Sequence, residues 1–447
     1  MQPSNPALVA LGRRGRHLIV IVVLVAIAGA VVTRLWADEP ARTGASNAPA
    51  TVPAAAQLDS TTAENTDSRA ALAAARRAVR RQPLSDEQAK AEAAELRKLY
   101  AQPSEQWPKP HVDPGVKFVE LGRLSKPEYP ANNPFSKDKV ELGKQLFFDA
   151  RLSGSGQIAC ASCHDPDLAW ADGRTTSFGN VRTKLRRNAP SILFSAYATS
   201  LFWDGRSGSL EDQFRAPVLA HDEMNAKPDA VAKRLNELPE YKESFKKVFG
   251  ADEVTLADAA KAVATFERSI APTTGRSDFD KFLAGDGAAL SDSAVRGLHL
   301  FRTDARCINC HNGPAFTDNQ FHDLGLSYYG RELEDLGRYD ATNEAKDVGK
   351  FRTPSLRNVG RTRPYMHNGI FELDAVIRMY NAGMATLVRK PDQKDDPLFP
   401  TKDPLLQPLH LNDQDQADLK AFLESLNEPQ SRMRPPKLPP EPAVRTG

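Results

Sequence analysis

Two five-residue stretches carry the chemistry of this chain: Cys160-Ala161-Ser162-Cys163-His164 and Cys307-Ile308-Asn309-Cys310-His311. Each reads C-x-x-C-H. That spacing places two thiols where they form thioether bonds to the vinyl groups of a haem. It also sets the following histidine under the iron as proximal ligand. The two motifs use all four cysteines of the chain. A zinc ribbon would bring its two pairs within roughly 15–20 residues of each other, and Cys160 and Cys307 stand much further apart. A thioredoxin-like dithiol leaves the histidine after both pairs unexplained. The sequence therefore predicts two covalent c-type haems, with His164 and His311 as the iron ligands.

What fills the opposite side of each iron decides what the haems are for. An electron carrier has both axial positions filled by strong ligands, typically His or Met, whereas a peroxidase keeps one iron open. Between the two motifs the histidines are His221 and His299, and the methionine is Met224. His299 is read as packing in the helix that leads into the second motif, and His221 and Met224 as exposed loop positions. Further on, Leu373, Val376, Ile377 and Tyr380 recur at i, i+3, i+4 and i+7, one face of a helix. Tyr380 shares that buried stripe and Met379 lies about a quarter turn away. Either is a candidate axial ligand for the second iron, and the position filled by neither is a third reading. His111, His322 and His410 are read as surface or packing residues.

The elements that must position these groups recur. Leu142-Gly143-Lys144-Gln145-Leu146-Phe147 precedes the first motif and Arg296-Gly297-Leu298-His299-Leu300-Phe301 the second. Each predicts an amphipathic helix on its haem, with Ser291 or Ser293 as N-cap of the second. A later helix follows each motif, at 256–270 and 413–426. Strand-like alternation is scarce. The fold class expected is mostly α: two cytochrome c-like haem domains in tandem, at 106–285 and 286–430, after an N-terminal membrane anchor or signal segment and a helical or flexible spacer.

The ends of the chain have a different character. Arg13, Arg14 and Arg16 precede an apolar run from Leu18 to Val32, the order of an export signal. It is read as an uncleaved anchor over 18–36 within a segment 1–37, with a removed signal peptide as the alternative, and the basic flank puts the remainder outside the cytoplasm. Residues 38–105 form a spacer: a polar Ala/Pro/Thr/Ser stretch and then helical composition at 68–81 and 85–100, a possible hairpin. Prolines from 102 to 134 predict extended chain leading into the first haem domain. The Pro-rich tail 431–447 is expected to be disordered. With 447 residues, a formal net charge of +2 and 26% charged residues, nothing in bulk composition points to nucleic acid.

Beyond the haem motifs, 132–426 resembles the bacterial di-haem cytochrome c peroxidase family, which includes the methylamine-utilisation enzyme MauG. The resemblance rests on Phe148-Asp149-Ala150-Arg151-Leu152-Ser153-Gly154, Arg187-Asn188-Ala189-Pro190-Ser191, Phe202-Trp203-Asp204-Gly205-Arg206, Glu223-Met224, Thr353-Pro354-Ser355-Leu356-Arg357-Asn358 and Pro364-Tyr365-Met366-His367-Asn368-Gly369. It implies hydrogen peroxide as substrate at the N-terminal haem and electron entry at the C-terminal haem. It implies Trp203 as relay between them, Glu223 as acid–base group over the open iron, and Gln213 and Pro217 as pocket walls. Asn188 with the backbone oxygens of Thr362 and Pro364 matches an interdomain calcium site, and His367 a propionate contact rather than a ligand. Two departures stand out. The stretch 165–204 holds no histidine to cap the first iron, and Tyr380 stands where peroxidases of the family place a methionine on the second, as in the MauG branch. The implied protein is periplasmic. It draws on a small cytochrome c or cupredoxin, or it oxidises side chains of a partner protein as MauG does. A non-enzymatic di-haem electron carrier and a peroxide sensor are the competing readings.

Overall fold

The structure, a computed structural model, describes residues 82–272, 275–429 and 432–441. The expected anchor or signal segment and the first half of the spacer hairpin lie outside these residues. Among the described residues no helix is long and apolar enough to cross a membrane.

In chain order the helices are α1 (Asp86–Tyr100), α2 (Lys137–Phe148), α3 (Leu210–Leu219), α4 (Pro228–Asn236), α5 (Pro239–Phe249), α6 (Leu256–Ser269), α7 (Asp278–Leu283), α8 (Asp292–Arg302), α9 (Tyr339–Thr342), α10 (Leu373–Asn381) and α11 (Asp413–Ser425). Among the described residues the strand content is one antiparallel pair, β1 (Phe321–Asp323) with β2 (Lys350–Arg352), in which His322 faces Phe351. The fold is thus mostly helical, as the scarcity of alternation required.

Two hydrophobic cores organise these helices. The first gathers Leu142, Phe147, Trp170, Phe214, Val263 and Phe266 from α2, α3, α6 and the loop after the first motif. The second gathers Phe279, Leu298, Phe301, Phe316, Ile377 and Phe422 from α7, α8, α10, α11 and the loop after the second motif. In each, a helix before the haem motif crosses a later helix at a glycine. A Cβ at Gly143 would fall on the Ala262 carbonyl oxygen, and one at Gly297 on the Asp418 carbonyl oxygen. Only hydrogen fits at either crossing. Both entry helices carry a serine N-cap: Ser136 Oγ accepts from Lys139 N–H and Ser291 Oγ from Ala294 N–H, each at 3.1 Å. Such a cap satisfies one of the helix's otherwise unpaired N–H groups.

Three stretches pack differently from the sequence expectation. Helix α1 places Leu96 and Tyr100 in the second core, and the Pro-rich chain that follows adds Trp107 and Leu121 to it. Buried Arg302 fastens that stretch: it pairs with Glu120, donates to Pro108 O at 2.7 Å, and lies over the rings of Tyr100 and Trp107 at 5.4 and 5.1 Å. The extended chain expected to lead into the first haem domain therefore wraps the second core. Phe279 and Phe282, placed by sequence before the boundary at 285, also belong to the second core. The tail expected to be disordered is, over 432–441, irregular chain laid on the first core. There Met433 packs and Gln145 Nε2 donates to Lys437 O at 3.4 Å. Prolines preset an extended backbone with little left to order, so a tail without helix still docks.

Candidate di-haem site

Each motif folds into one 3-10 turn, Cys160–Ser162 and Cys307–Asn309. In both, the histidine N–H returns to the first cysteine's carbonyl oxygen, at 3.0 Å for His164 and 2.9 Å for His311. Both imidazoles are then held by a carbonyl: Trp170 O lies 3.1 Å from His164 Nδ1, and Phe316 O lies 3.1 Å from His311 Nδ1. A carbonyl at Nδ1 fixes the tautomer and leaves Nε2 as the ligating nitrogen. Burial draws both histidines below the ordinary imidazole range, which keeps them neutral, as iron ligation requires. The four cysteines form no disulfide. Burial pushes the Cys160 and Cys163 thiols up, and that of Cys307 to about 12. A thiolate, whether nucleophile or zinc ligand, is disfavoured in such surroundings, whereas an uncharged thioether is at home there.

Both motifs open onto one cavity of about 670 Å³, within the usual range for cofactor sites. Cys163 and His164 of the first motif line it, as do Cys307, Cys310 and His311 of the second. Two further features call for a cofactor with anionic groups. Arg352 lines the cavity, and its guanidinium donates only to the carbonyl oxygens of Phe202 and Thr353, with no carboxylate partner among the described residues. Burial lowers it to about 10. His367 is buried with Nε2 lacking any hydrogen-bond partner. A buried guanidinium without an anion is costly, and haem propionates would relieve it. The donor set, the apolar walls and the orphaned cation all fit two haems.

Glu223, Gln213, Pro217, Trp203, Asn188, Thr362, Pro364 and Tyr380 all line this same cavity; Met379 does not. Glu223 follows α3 on a loop pinned by Asn180 N–H, which donates to Asp222 O at 3.0 Å and Glu223 O at 2.7 Å. Gly179 passes so close beneath that a Cβ there would strike Asp222 O. Desolvation raises the Glu223 carboxyl above its ordinary value, with Arg206 opposing and Asp222 assisting. Trp203 is gripped from both halves: its Nε1–H donates to Asn188 O at 3.0 Å and its carbonyl accepts from Arg352 N–H at 2.8 Å. Its ring meets His367 edge-on at 6.5 Å, and His367 stacks on Phe351 at 3.7 Å. Burial raises the Tyr380 phenol, with the Cys310 and Cys307 sulfurs adding to it, so it stays neutral unless a cation meets it.

Two sequence readings change. Met224, expected on an exposed loop, is buried in the first core, whereas His221 is exposed as expected. His322, read as surface or packing, is a charged bridge on the cavity wall. Its Nδ1 lies 2.6 Å from Asp403 and its Nε2 3.0 Å from Asp318. Burial alone would lower it, but the two carboxylates dominate and lift it to about 12. Residue spacing carried no signal for this, since Asp403 is distant in the chain. Glu267, missed by sequence reasoning, also lines the cavity.

Two c-type attachment sites opening onto one cavity define a di-haem cytochrome. Residues 137–288 match the family model described as di-haem cytochrome c peroxidase. The chain is 42% identical over 355 residues to the cytochrome-c peroxidase IdrP1 of Denitromonas iodatirespirans, covering 72% of this chain and 91% of that one. It is 38% identical over 324 residues to the methylamine utilization protein MauG of Methylorubrum extorquens, covering 71% and 87%. It superposes with a TM-score of 0.60 and 31% identity on the crystal structure of a MauG-like protein associated with microbial copper homeostasis, covering 71% and 96%. The chain belongs to the di-haem cytochrome c peroxidase family and is an oxidoreductase of the peroxidase type.

Proposed function

We propose that the chain reduces hydrogen peroxide to water at the haem attached through Cys160 and Cys163, with electrons entering through the haem attached through Cys307 and Cys310. The observation that carries this reading is that both motifs, Trp203 and Glu223 line a single cavity. Each haem, when bound, supplies an iron that changes oxidation state. The side chains supply the rest. Glu223 takes a proton from the near oxygen of peroxide and returns it to the far oxygen, so that water leaves as the O–O bond breaks. Its raised affinity for protons suits a group that both accepts and donates. Gln213 and Pro217 wall the peroxide position. Trp203, held by Asn188 and Arg352, stands between the two sites as the relay. Per peroxide, two protons and two external electrons yield two waters.

Tyr380 is assigned as the side chain that would hold the second iron together with His311, supported by its place on the cavity wall and the absence of Met379 from it. A phenol made costly to ionise by burial would be a good anionic ligand for a ferric cation. Asn188 Nδ2 donates to Arg174 O at 2.8 Å, which leaves Oδ1 to join the Thr362 and Pro364 carbonyl oxygens at a calcium ion, a hard cation that prefers oxygen. The two cores support two cytochrome c-like domains in tandem. The basic-then-apolar N-terminus supports export to the periplasm, with 18–36 as anchor.

Tyr380 and the absence of histidine from 165–204 also favour the MauG-like reading, in which a partner protein's side chains supply the electrons in place of a small cytochrome or cupredoxin. EPR of the resting ferric holoprotein tests the scheme. A high-spin first haem and a low-spin second haem that loses its sixth ligand in Tyr380→Phe are expected. Two permanently low-spin haems would leave only electron transfer.

A further inference from the structure

The matched helix crossings align the two halves residue by residue. Gly143 sits under Ala262 and Phe266, and Gly297 under Asp418 and Phe422. On that match, the residue after each phenylalanine is equivalent: Glu267 on α6 and Leu423 on α11. Both line the haem cavity and both are buried. The second half fills the position with a hydrocarbon, so this architecture does not need a carboxylate there.

Glu267 is 6% exposed, and its carboxyl makes no hydrogen bond to any described residue. The neighbouring guanidinium, Arg268, is engaged by Glu211 through two contacts at 2.7 and 3.0 Å. Lys139, on the packed helix α2, donates instead to Asn133 Oδ1 and Pro134 O. Cys160, beside Glu267, carries no charge as a thioether. Burial raises Glu267 to about 8, against the pull of Arg268 and with a push from Glu211. An acid this deep and unpaired is rare without a task.

We propose that Glu267 is a redox-linked proton acceptor for the first haem, a role that rests on haem attachment at Cys160 and Cys163. In the low-dielectric cavity an ionised Glu267 favours the more positive ferric state. When one electron from an external reductant reaches the iron, one proton from water forms an O–H bond on Glu267, and the local net charge is unchanged. Reoxidation releases the proton. The second half, with Leu423, has no such partner at this position.

Spectroelectrochemical titration of both haems in the holoprotein, without peroxide, tests this. Between the ferric-state and the ferrous-state ionisation of Glu267, each tenfold fall in proton concentration lowers the first midpoint potential by about 59 mV. Glu267→Gln and Glu267→Leu, the latter borrowing the residue of the other half, abolish that slope. Glu223→Gln retains it. A first-haem potential independent of pH in the wild type, or a slope that survives both Glu267 variants, overturns the proposal. Should the variants fail to take up haem, redox-difference infrared spectra of the wild type decide instead. Reduction must produce a protonated-carboxyl band that shifts in D2O, and its absence refutes the assignment. Loss of peroxide turnover with the slope intact would count against the peroxidase scheme and leave this inference standing.

Discussion

Phe147, Trp170 and Phe266 meet in the first half at centroid distances of 5.3 to 5.9 Å, and Phe301, Phe316 and Phe422 meet in the second at 5.2 to 6.2 Å. Trp170 and Phe316 are also the residues whose carbonyls hold the proximal histidines. Around each motif, then, the two halves share one scaffold: glycine crossing, aromatic triad, capped entry helix, carbonyl on Nδ1. On the cavity wall they part. The first half contributes Glu223, Gln213, Pro217 and Glu267; the second contributes Tyr380, with His322 held between two aspartates. Holding a haem constrains the proximal side through close packing, which tolerates little change. The rest of the cavity wall is free to carry different chemistry, and the proposed scheme of one open and one closed iron would rest on that freedom.

Breaking the front of the first half alone has the largest expected effect. Glu223→Gln is expected to lower peroxide turnover by about 10²–10⁴-fold, the usual worth of a general acid–base group. Pyridine-haemochrome assay should still find two haems per chain. Turnover within twofold of wild type would remove Glu223 from the mechanism and erase the asymmetry between the halves.

Breaking the shared back should act on both halves alike. Gly143→Ala and Gly297→Ala each force a methyl onto a backbone carbonyl that cannot retreat, a cost of about 1–3 kcal/mol for overpacking. Each should lower the unfolding midpoint of its own half, read by denaturant unfolding followed at each haem's absorbance. If both substitutions perturb the same haem, the two crossings are not equivalent.

A smaller effect is expected from pH. The Glu223 carboxyl is raised from an ordinary value near 4.5, and only its ionised form accepts peroxide's proton. Activity should therefore fall as pH drops through a limb lying above that value, measured in kcat/KM. The residual rate of Glu223→Gln should lack the limb. The smallest effect belongs to the caps: Ser136→Ala and Ser291→Ala should each cost about 1 kcal/mol and lower the thermal midpoint without shifting either haem spectrum.

Much of this was legible in the residues. C-x-x-C-H names its cofactor because the chemistry of attachment sits within five positions. The paired Gly-to-Phe stretches mark entry helices because helical periodicity is local. Ser291 reads as a cap for the same reason. Trp203 and Glu223 were legible only through motif resemblance, since nothing in their own spacing says what they face. His322 was not legible, because its charge depends on Asp403 and Asp318 converging on one ring.

By itself, then, the sequence determined two c-type haem attachment motifs and the helices that hold them, both of which follow from short-range stereochemistry; the acid and the aromatic were proposed from motif resemblance alone. The tertiary structure alone decided that the chain from Trp107 to Leu121 and the residues around Phe279 join the second core, that Met433 and the tail reach back to the first, and that Glu267 and Leu423 occupy one position in two copies. Those outcomes depend on which buried surfaces meet across long stretches of chain. Hydrophobic burial has no direction along the sequence, so no local pattern records them.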